Sequence, residues 1–175
     1  MFLNPQQCIA QLGLREGMRV ADFGAGTGIY TQAISKAVGH TGRVYAIEVQ
    51  KNFVKKLETD IKEHGLLNVS CIWGDIERQG GTKITDESMD AVVVANVLFQ
   101  SEDKLGIVDE VKRVLKKTGK VLVIDWSDSF GHMGPTPSYV VTQKMARDLF
   151  EKRGFKYVES ISTGAHHYGI ILGHE

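Results

Sequence analysis

The sequence predicts an α/β fold of three layers, a doubly wound and mostly parallel seven-stranded sheet with an antiparallel C-terminal strand. Three observations carry this. Short apolar runs alternate with segments of helical period from residue 18 to residue 126, the order that builds parallel sheets covered by helices. The run Ala91-Val92-Val93-Val94-Ala95 is apolar on both faces, as a central parallel strand must be. The last two strand-like segments lie too close together for a crossover helix, so they pair antiparallel. With 175 residues, 42% of them hydrophobic and 24% charged, the chain reads as a single domain spanning 1–175.

The elements follow in order. Asn4 and Pro5 open an N-terminal helix within residues 1–17, Asn as cap and Pro at the first helical position, with Ile9 and Leu12 facing inward and Gly13 as the stop. Residues 18–23 form the first strand, and a helix over residues 27–38 presents Ile34, Ala37 and Val38 on one face. Residues 43–49 are the second strand. A helix over residues 51–64 repeats Phe53, Leu57 and Ile61 at helical spacing and is closed by Gly65. Residues 69–73 are the third strand. The stretch 76–88, with Gly80-Gly81 and little periodicity, reads as loop. A fourth strand covers residues 89–98. Ser101 is expected to cap the next helix, whose stripe is Leu105, Val108, Val111 and Leu115 and whose last turn carries Lys116 and Lys117. The fifth strand is residues 120–126. A loop over residues 127–141, with two prolines and two glycines, is long enough to suggest a substrate-contacting segment. Thr142 caps a helix carrying Met145, Leu149 and Phe150, and the final strands are residues 155–163 and 168–172.

Composition removes several classes of function. Lys plus Arg and Asp plus Glu are equal at 21 each, so no global charge draws the chain toward nucleic acid or a membrane surface. No apolar run approaches the roughly 20 residues of a membrane span, and no signal-peptide pattern opens the chain. Cys8 and Cys71 lack metal-ligand spacing, and no metal site is expected; two lone thiols predict a reducing, cytoplasmic location.

The functional signal is the run Val20-Ala21-Asp22-Phe23-Gly24-Ala25-Gly26-Thr27-Gly28-Ile29-Tyr30, a strand entering a glycine turn that opens a helix. Such a turn holds nucleotide-like ligands at the carboxyl edge of a sheet. A dinucleotide and S-adenosylmethionine both fit. The dinucleotide pattern G-x-G-x-x-G needs a third glycine where this chain has Ile29. A pyrophosphate favours cations at the turn, whereas Asp22 opens this one and suits an ammonium or sulfonium. Glu48, at the end of the second strand, serves a ribose diol in either ligand. Asp75, at the end of the third, is placed to accept from an adenine amine. The balance favours S-adenosylmethionine.

Asp22-Phe23-Gly24-Ala25-Gly26-Thr27-Gly28 resembles motif I of the class I S-adenosylmethionine-dependent methyltransferases, whose fold is Rossmann-like. Gly74-Asp75-Ile76 resembles their adenine-side motif and residues 90–98 their fourth-strand motif. Arg113-Val114-Leu115-Lys116-Lys117-Thr118-Gly119-Lys120 resembles their passage into the fifth strand. The order matches across nearly the whole chain, and the branch it most resembles is the small stand-alone enzymes related to quinone-biosynthesis C-methyltransferases. The resemblance implies that Gly24, Gly26 and Gly28 pass under the methionine moiety, and that Ala25, Thr27 and Tyr30 of the same stretch belong to the cofactor site. Asp22 orders the turn and, through water, the ammonium. Glu48 grips the ribose, and Val49 packs on the adenine. Gly74, Asp75 and Ile76 border the adenine's amine edge, and Asn96 lines the methyl-donor end. Phe99-Gln100 stands where relatives often have histidines, so no substrate transfers from a named relative.

Methyl transfer from a sulfonium is an in-line displacement in which positioning dominates, and a base is required only for an acceptor that must lose a proton. The acceptor-side candidates are Asp125 and Trp126 at the end of the fifth strand, His132 and Tyr139 in the long loop, and His166, His167 and Tyr168 before the last strand. His167, Asp125 and His132 are the candidates for catalysis. The expected function is methyl transfer to a small-molecule acceptor. The alternatives are an RNA- or protein-modifying methyltransferase with an open site, and a binding module that holds the cofactor without turnover.

Overall fold

The structure is a computed structural model and describes residues 3–131 and 133–174, so His132 lies outside the described residues. The strands are β1 (Arg19–Phe23), β2 (Arg43–Glu48), β3 (Val69–Trp73), β4 (Met89–Ala95), β5 (Leu115–Trp126), β6 (Phe155–Ile161) and β7 (His167–His174). The helices are α1 (Pro5–Gln11), α2 (Ile29–Val38), α3 (Lys51–Glu63), α4 (Lys104–Val114) and α5 (Gln143–Glu151). One seven-stranded sheet runs in the order β3-β2-β1-β4-β5-β7-β6. β1 pairs in parallel with both β2 and β4, so the strand order reverses between β1 and β4, the switch point at which doubly wound sheets bind ligands. β7 runs antiparallel to both β5 and β6 and lies between them. The C-terminal strand is antiparallel, as expected, and lies inside the edge strand β6.

Alternation along the strands sorts two cores. Val121, Val123, Ile170 and Leu172 pack with Ile107, Val108, Val111 and Phe150 of α4 and α5. Val20, Val93, Leu122, Ile124 and Ile171 pack with Cys8 and Ile9 of α1 and with Tyr30, Ile34 and Val38 of α2. Leu57 of α3 closes on Ala25 and Ala46.

Local signals hold at α1, where Asn4 Oδ1 accepts from Gln7 N–H at 3.2 Å, and at α5, where Thr142 Oγ1 accepts from Met145 N–H at 3.3 Å. Several expectations are corrected. α2 begins at Ile29 rather than residue 27, because Gly28 is left-handed at φ 81°. β4 ends at Ala95, and the following residues form a 3₁₀ turn, Leu98–Gln100. α4 is capped by Asp103, whose carboxylate accepts from Gly106 N–H at 2.8 Å; Ser101 instead donates its hydroxyl to Val97 C=O at 2.8 Å. Its buried stripe is Ile107, Val108, Val111 and Val114, and Leu105 is only partly covered. Lys116 and Lys117 belong to β5, which begins at Leu115, paired with Met89 of β4 ahead of a register shift. Met145 is exposed; Ala146 and Phe150 are the buried residues of α5. Cys8 and Cys71 are free, Cys8 buried and Cys71 partly so.

Candidate functional site

The glycine turn follows β1 and docks on the end of β2. Gly24 and Ala25 N–H groups both donate to Ile47 C=O at 2.9 Å. Gly24, Gly26 and Gly28 have φ of 75°, 53° and 81°, backbone that L side chains rarely adopt. They differ in surroundings. A Cβ on Gly24 would meet Val97 Cγ2 at 2.7 Å, and one on Gly28 would meet Leu57 Cδ1 at 2.3 Å. A Cβ on Gly26 would touch nothing nearer than Gly24 O at 3.9 Å. Two glycines thus permit internal packing, while the space before Gly26 is open.

That space is a cavity of about 390 Å³ at the carboxyl ends of β1, β2 and β4, within the roughly 300–1,000 Å³ of small-molecule sites. It brings together Gly24, Gly26, Glu48, Val49, Gly74, Asp75 and Ile76, all foreseen from the sequence. Glu48 is 6% exposed. Its Oε2 accepts from Gly26 N–H at 3.0 Å and its Oε1 from Gln50 N–H at 2.9 Å. Asp75 Oδ1 accepts from Glu77 N–H at 2.9 Å, and its Oδ2 lies 3.1 Å from Arg78 Nε. The Trp73 indole N–H donates to Val49 C=O at 2.9 Å, which ties the ends of β2 and β3 together behind the cavity.

The loop carrying Asp75 is fixed from α4. Glu110, fully buried, accepts from Gly80 N–H at 2.8 Å, from Thr82 Oγ1 at 2.5 Å and from Arg113 Nη2 at 2.6 Å. Burial alone would raise its carboxyl, but Arg113, Thr82 and Gly80 together hold it below the ordinary carboxylate range. Gly81 packs tightly enough that a Cβ would lie 2.1 Å from Asp75 O, so this glycine is required by the fold.

Asp22, Ala25, Thr27, Gly28, Tyr30 and Asn96 are not among the lining residues. Asp22 is buried rather than at the mouth of the turn, and its Oδ2 accepts from Thr31 Oγ1 at 2.6 Å, which fastens β1 to α2. Burial pushes its carboxyl up to about 6. Tyr30 lies in the core beside α1, its hydroxyl buried with no partner among the described residues; burial raises that phenol as well. Asn96 is left-handed at φ 56°, a conformation asparagine tolerates, and its Oδ1 is buried without a partner among the described residues.

The acceptor-side candidates divide between the two faces. Asp125, fully buried, pairs across the ladder with Tyr168 on the α4 and α5 face. Trp126 pairs with His167 on the other face, ring centroids 4.2 Å apart. Asp125 is enclosed by protein and does not line the cavity: its Oδ1 accepts from Trp126 N–H at 2.8 Å and its Oδ2 from Phe99 N–H at 3.4 Å. His167 Nδ1 is 3.4 Å from Ala165 C=O, its Nε2 is buried without a partner among the described residues, and burial lowers its basicity. His166 is a fastener instead: Nδ1 lies 2.8 Å from Asp128 Oδ1, and the ring stacks on Phe130 at 3.8 Å. Tyr139 is exposed.

Sequence reasoning missed Phe53, Gln50, Glu77, Val97, Gln100 and Ser101 in the cavity wall. Phe53 carried a signal, since its helical stripe leads straight out of the second strand; the buried residues of α3 are Val54 and Leu57, and Phe53 turns to the cavity.

Comparison with known proteins agrees with this geometry. A demethylmenaquinone methyltransferase from Geobacillus sp. (strain WCH70) is 29% identical over 122 residues, covering 70% of this chain and 51% of the relative. A ubiquinone/menaquinone biosynthesis C-methyltransferase from Cupriavidus necator is 32% identical over 119 residues, covering 68% and 47%. The chain thus spans about half the length of these relatives. The crystal structure of a SAM-dependent methyltransferase from Aquifex aeolicus superposes with a TM-score of 0.89 at 28% identity, covering 98% of this chain and 89% of that one. A family model described as a methyltransferase domain matches residues 14–168, most of the chain, and the protein belongs to that methyltransferase family.

Proposed function

We propose that this chain, acting as one domain over 1–175, is an S-adenosylmethionine-dependent methyltransferase for a small-molecule acceptor. The observation that carries the reading is Gly26: a left-handed glycine with no neighbour to make room for, in a cavity also lined by Glu48, Val49, Asp75 and Ile76. Glu48 holds the turn and keeps free lone pairs for ribose hydroxyls. Val49 and Ile76 supply apolar cover for a purine, with Asp75 at its amine edge. Asn96 Oδ1 is an unpartnered acceptor suited to an ammonium. Asp22 acts by fastening α2 through Thr31 rather than by contact. The bound sulfonium supplies an activated methyl group, and the protein's task is alignment.

On the acceptor side, His167 is the base candidate. An Nδ1–H donated to Ala165 C=O leaves Nε2 as a neutral lone pair. Gly134 packs against the Trp126 ring on this side: a Cβ there would lie 2.8 Å from Trp126 Cε3. Among the described residues no helix is long and apolar enough to cross a membrane, and a cytoplasmic location fits two free thiols. The reading is tested by incubating the chain with methyl-labelled S-adenosylmethionine and a panel of demethylmenaquinone analogues, phenols and amines. Label in one of these products supports it. S-adenosylhomocysteine binding with no transfer to any acceptor would instead favour a binding module.

A further inference from the structure

The cavity wall between β4 and α4 is made by Val97, Gln100 and Ser101, which flank and end the 3₁₀ turn. Two charged groups hold this turn. At its middle residue, Asp125 Oδ2 accepts from Phe99 N–H at 3.4 Å. At its end, Lys104 Nζ donates to Ser101 C=O at 2.7 Å. Between them, Gln100 Nε2 bonds back to Asn96 C=O at 2.9 Å. Asp125 is 0% exposed and touches neither the cavity nor solvent. A buried carboxylate is costly unless it is paired and hydrogen-bonded. Here it joins the end of β5, on the acceptor side, to the wall of the donor cavity.

We infer that Asp125 is a positioning residue: its ionised carboxylate sets the 3₁₀ turn, and so the Val97–Ser101 wall, in the form that binds the methyl donor. The inference rests on the donor-site reading of the cavity. Tyr168 from β7 and Lys104 from α4 act on Asp125 from its own face of the sheet, and Tyr30 of α2 couples to it electrostatically from the other core. Burial raises both phenols, so neither carries charge near neutrality, and Lys104 is the cation that favours the ionised form. Burial outweighs that help and pushes the Asp125 carboxyl up to about 6. Donor affinity should therefore fall as the pH is lowered through that range. Asp22 titrates in the same range, so its own variant is the necessary control.

The test is the Kd of S-adenosylhomocysteine between about pH 5 and 8 for wild type, Asp125→Asn and Asp22→Asn. Wild-type affinity should weaken roughly tenfold per pH unit below the carboxyl's range, the limit for one coupled proton. Asp125→Asn should bind several-fold more weakly at neutral pH, with a flattened profile, and Asp22→Asn should keep the wild-type slope. A parallel measurement needs no variant: the Asp125 carboxyl carbon, followed by NMR in wild type, should titrate at lower pH with ligand bound than without. An unchanged midpoint, or an Asp125→Asn chain that binds with wild-type affinity and pH profile, overturns the inference while leaving the donor site intact. A wild-type chain that binds no S-adenosylhomocysteine overturns both.

Discussion

The carboxylate of Glu48 accepts the backbone N–H of Gly26 at 3.0 Å, so the acid that ends β2 also shapes the glycine turn that follows β1. Its second oxygen holds Gln50 N–H, at the start of α3. One side chain thus organises three segments around the cavity. Glu48→Ala strands two N–H donors and removes the acceptor proposed for the ribose. It should weaken S-adenosylhomocysteine binding by about 1–3 kcal/mol, the scale of hydrogen bonds to a charged group. Calorimetry measures this directly, and unchanged affinity would show that Glu48 contacts no ligand.

The glycines predict two different phenotypes. Gly26→Val should abolish ligand binding while costing only the roughly 1–2 kcal/mol of a left-handed non-glycine residue, because its side chain enters open space. Gly28→Ala should be worse for stability, since its Cβ runs into Leu57 Cδ1. Denaturant midpoints alongside calorimetry separate the two. A Gly26→Val chain that binds normally would place the ligand elsewhere.

Glu110 supports the site from behind. Glu110→Ala leaves Arg113 without its buried partner and frees the loop at Gly80 and Thr82. Breaking a buried pair costs about 3–5 kcal/mol, and the lower end is expected because Arg113 keeps Asp86 and Ile84 C=O. Urea unfolding should show that loss, with ligand affinity falling further as the Asp75 loop loosens.

The pH dependence of stability has a definite sign at Asp22. Burial raises its folded-state value from 3.8 to about 6, so between these values the folded chain holds a proton that the unfolded chain has released. Its contribution is favourable at low pH and is lost as pH rises through that window, by at most about 3 kcal/mol. Asp125 acts in the same direction, raised by burial to about 6. Asp22→Asn should flatten the unfolding free energy between about pH 4 and 6, and a slope equal to wild type would contradict the burial argument.

His167→Ala should leave S-adenosylhomocysteine affinity unchanged and lower turnover of any acceptor that must lose a proton, by the roughly 10²–10⁴-fold that a positioned base contributes. Single-turnover kinetics on the acceptor found in the panel measures it.

Much of this was legible in the sequence because it is written in local chemistry. The two-faced apolar run 91–95 marks a central strand, and the motif order picks out Gly24, Gly26, Glu48, Val49, Asp75 and Ile76, which line one cavity. What escaped depends on contacts between distant residues. Ser101 and Asp103 are both good caps, and only Val97 C=O, which takes the serine hydroxyl, decides between them. Lys116 and Lys117 suit a helix end by charge, yet pairing of Leu115 with Met89 draws the chain into β5 first. Gln100 and Ser101 enter the cavity wall from a turn whose Phe99 N–H is bonded by Asp125, a residue distant in sequence. The place of Asp125 at the end of β5 suggests a site residue, and the packing turns its carboxylate inward, fully buried.

The most direct test of the account is titration of the wild-type chain with S-adenosylhomocysteine, beside Gly26→Val. The account predicts saturable binding of about one ligand per chain in wild type and none in the variant, with both chains folded. No binding to the wild type at millimolar ligand, or equal binding to both, would contradict it.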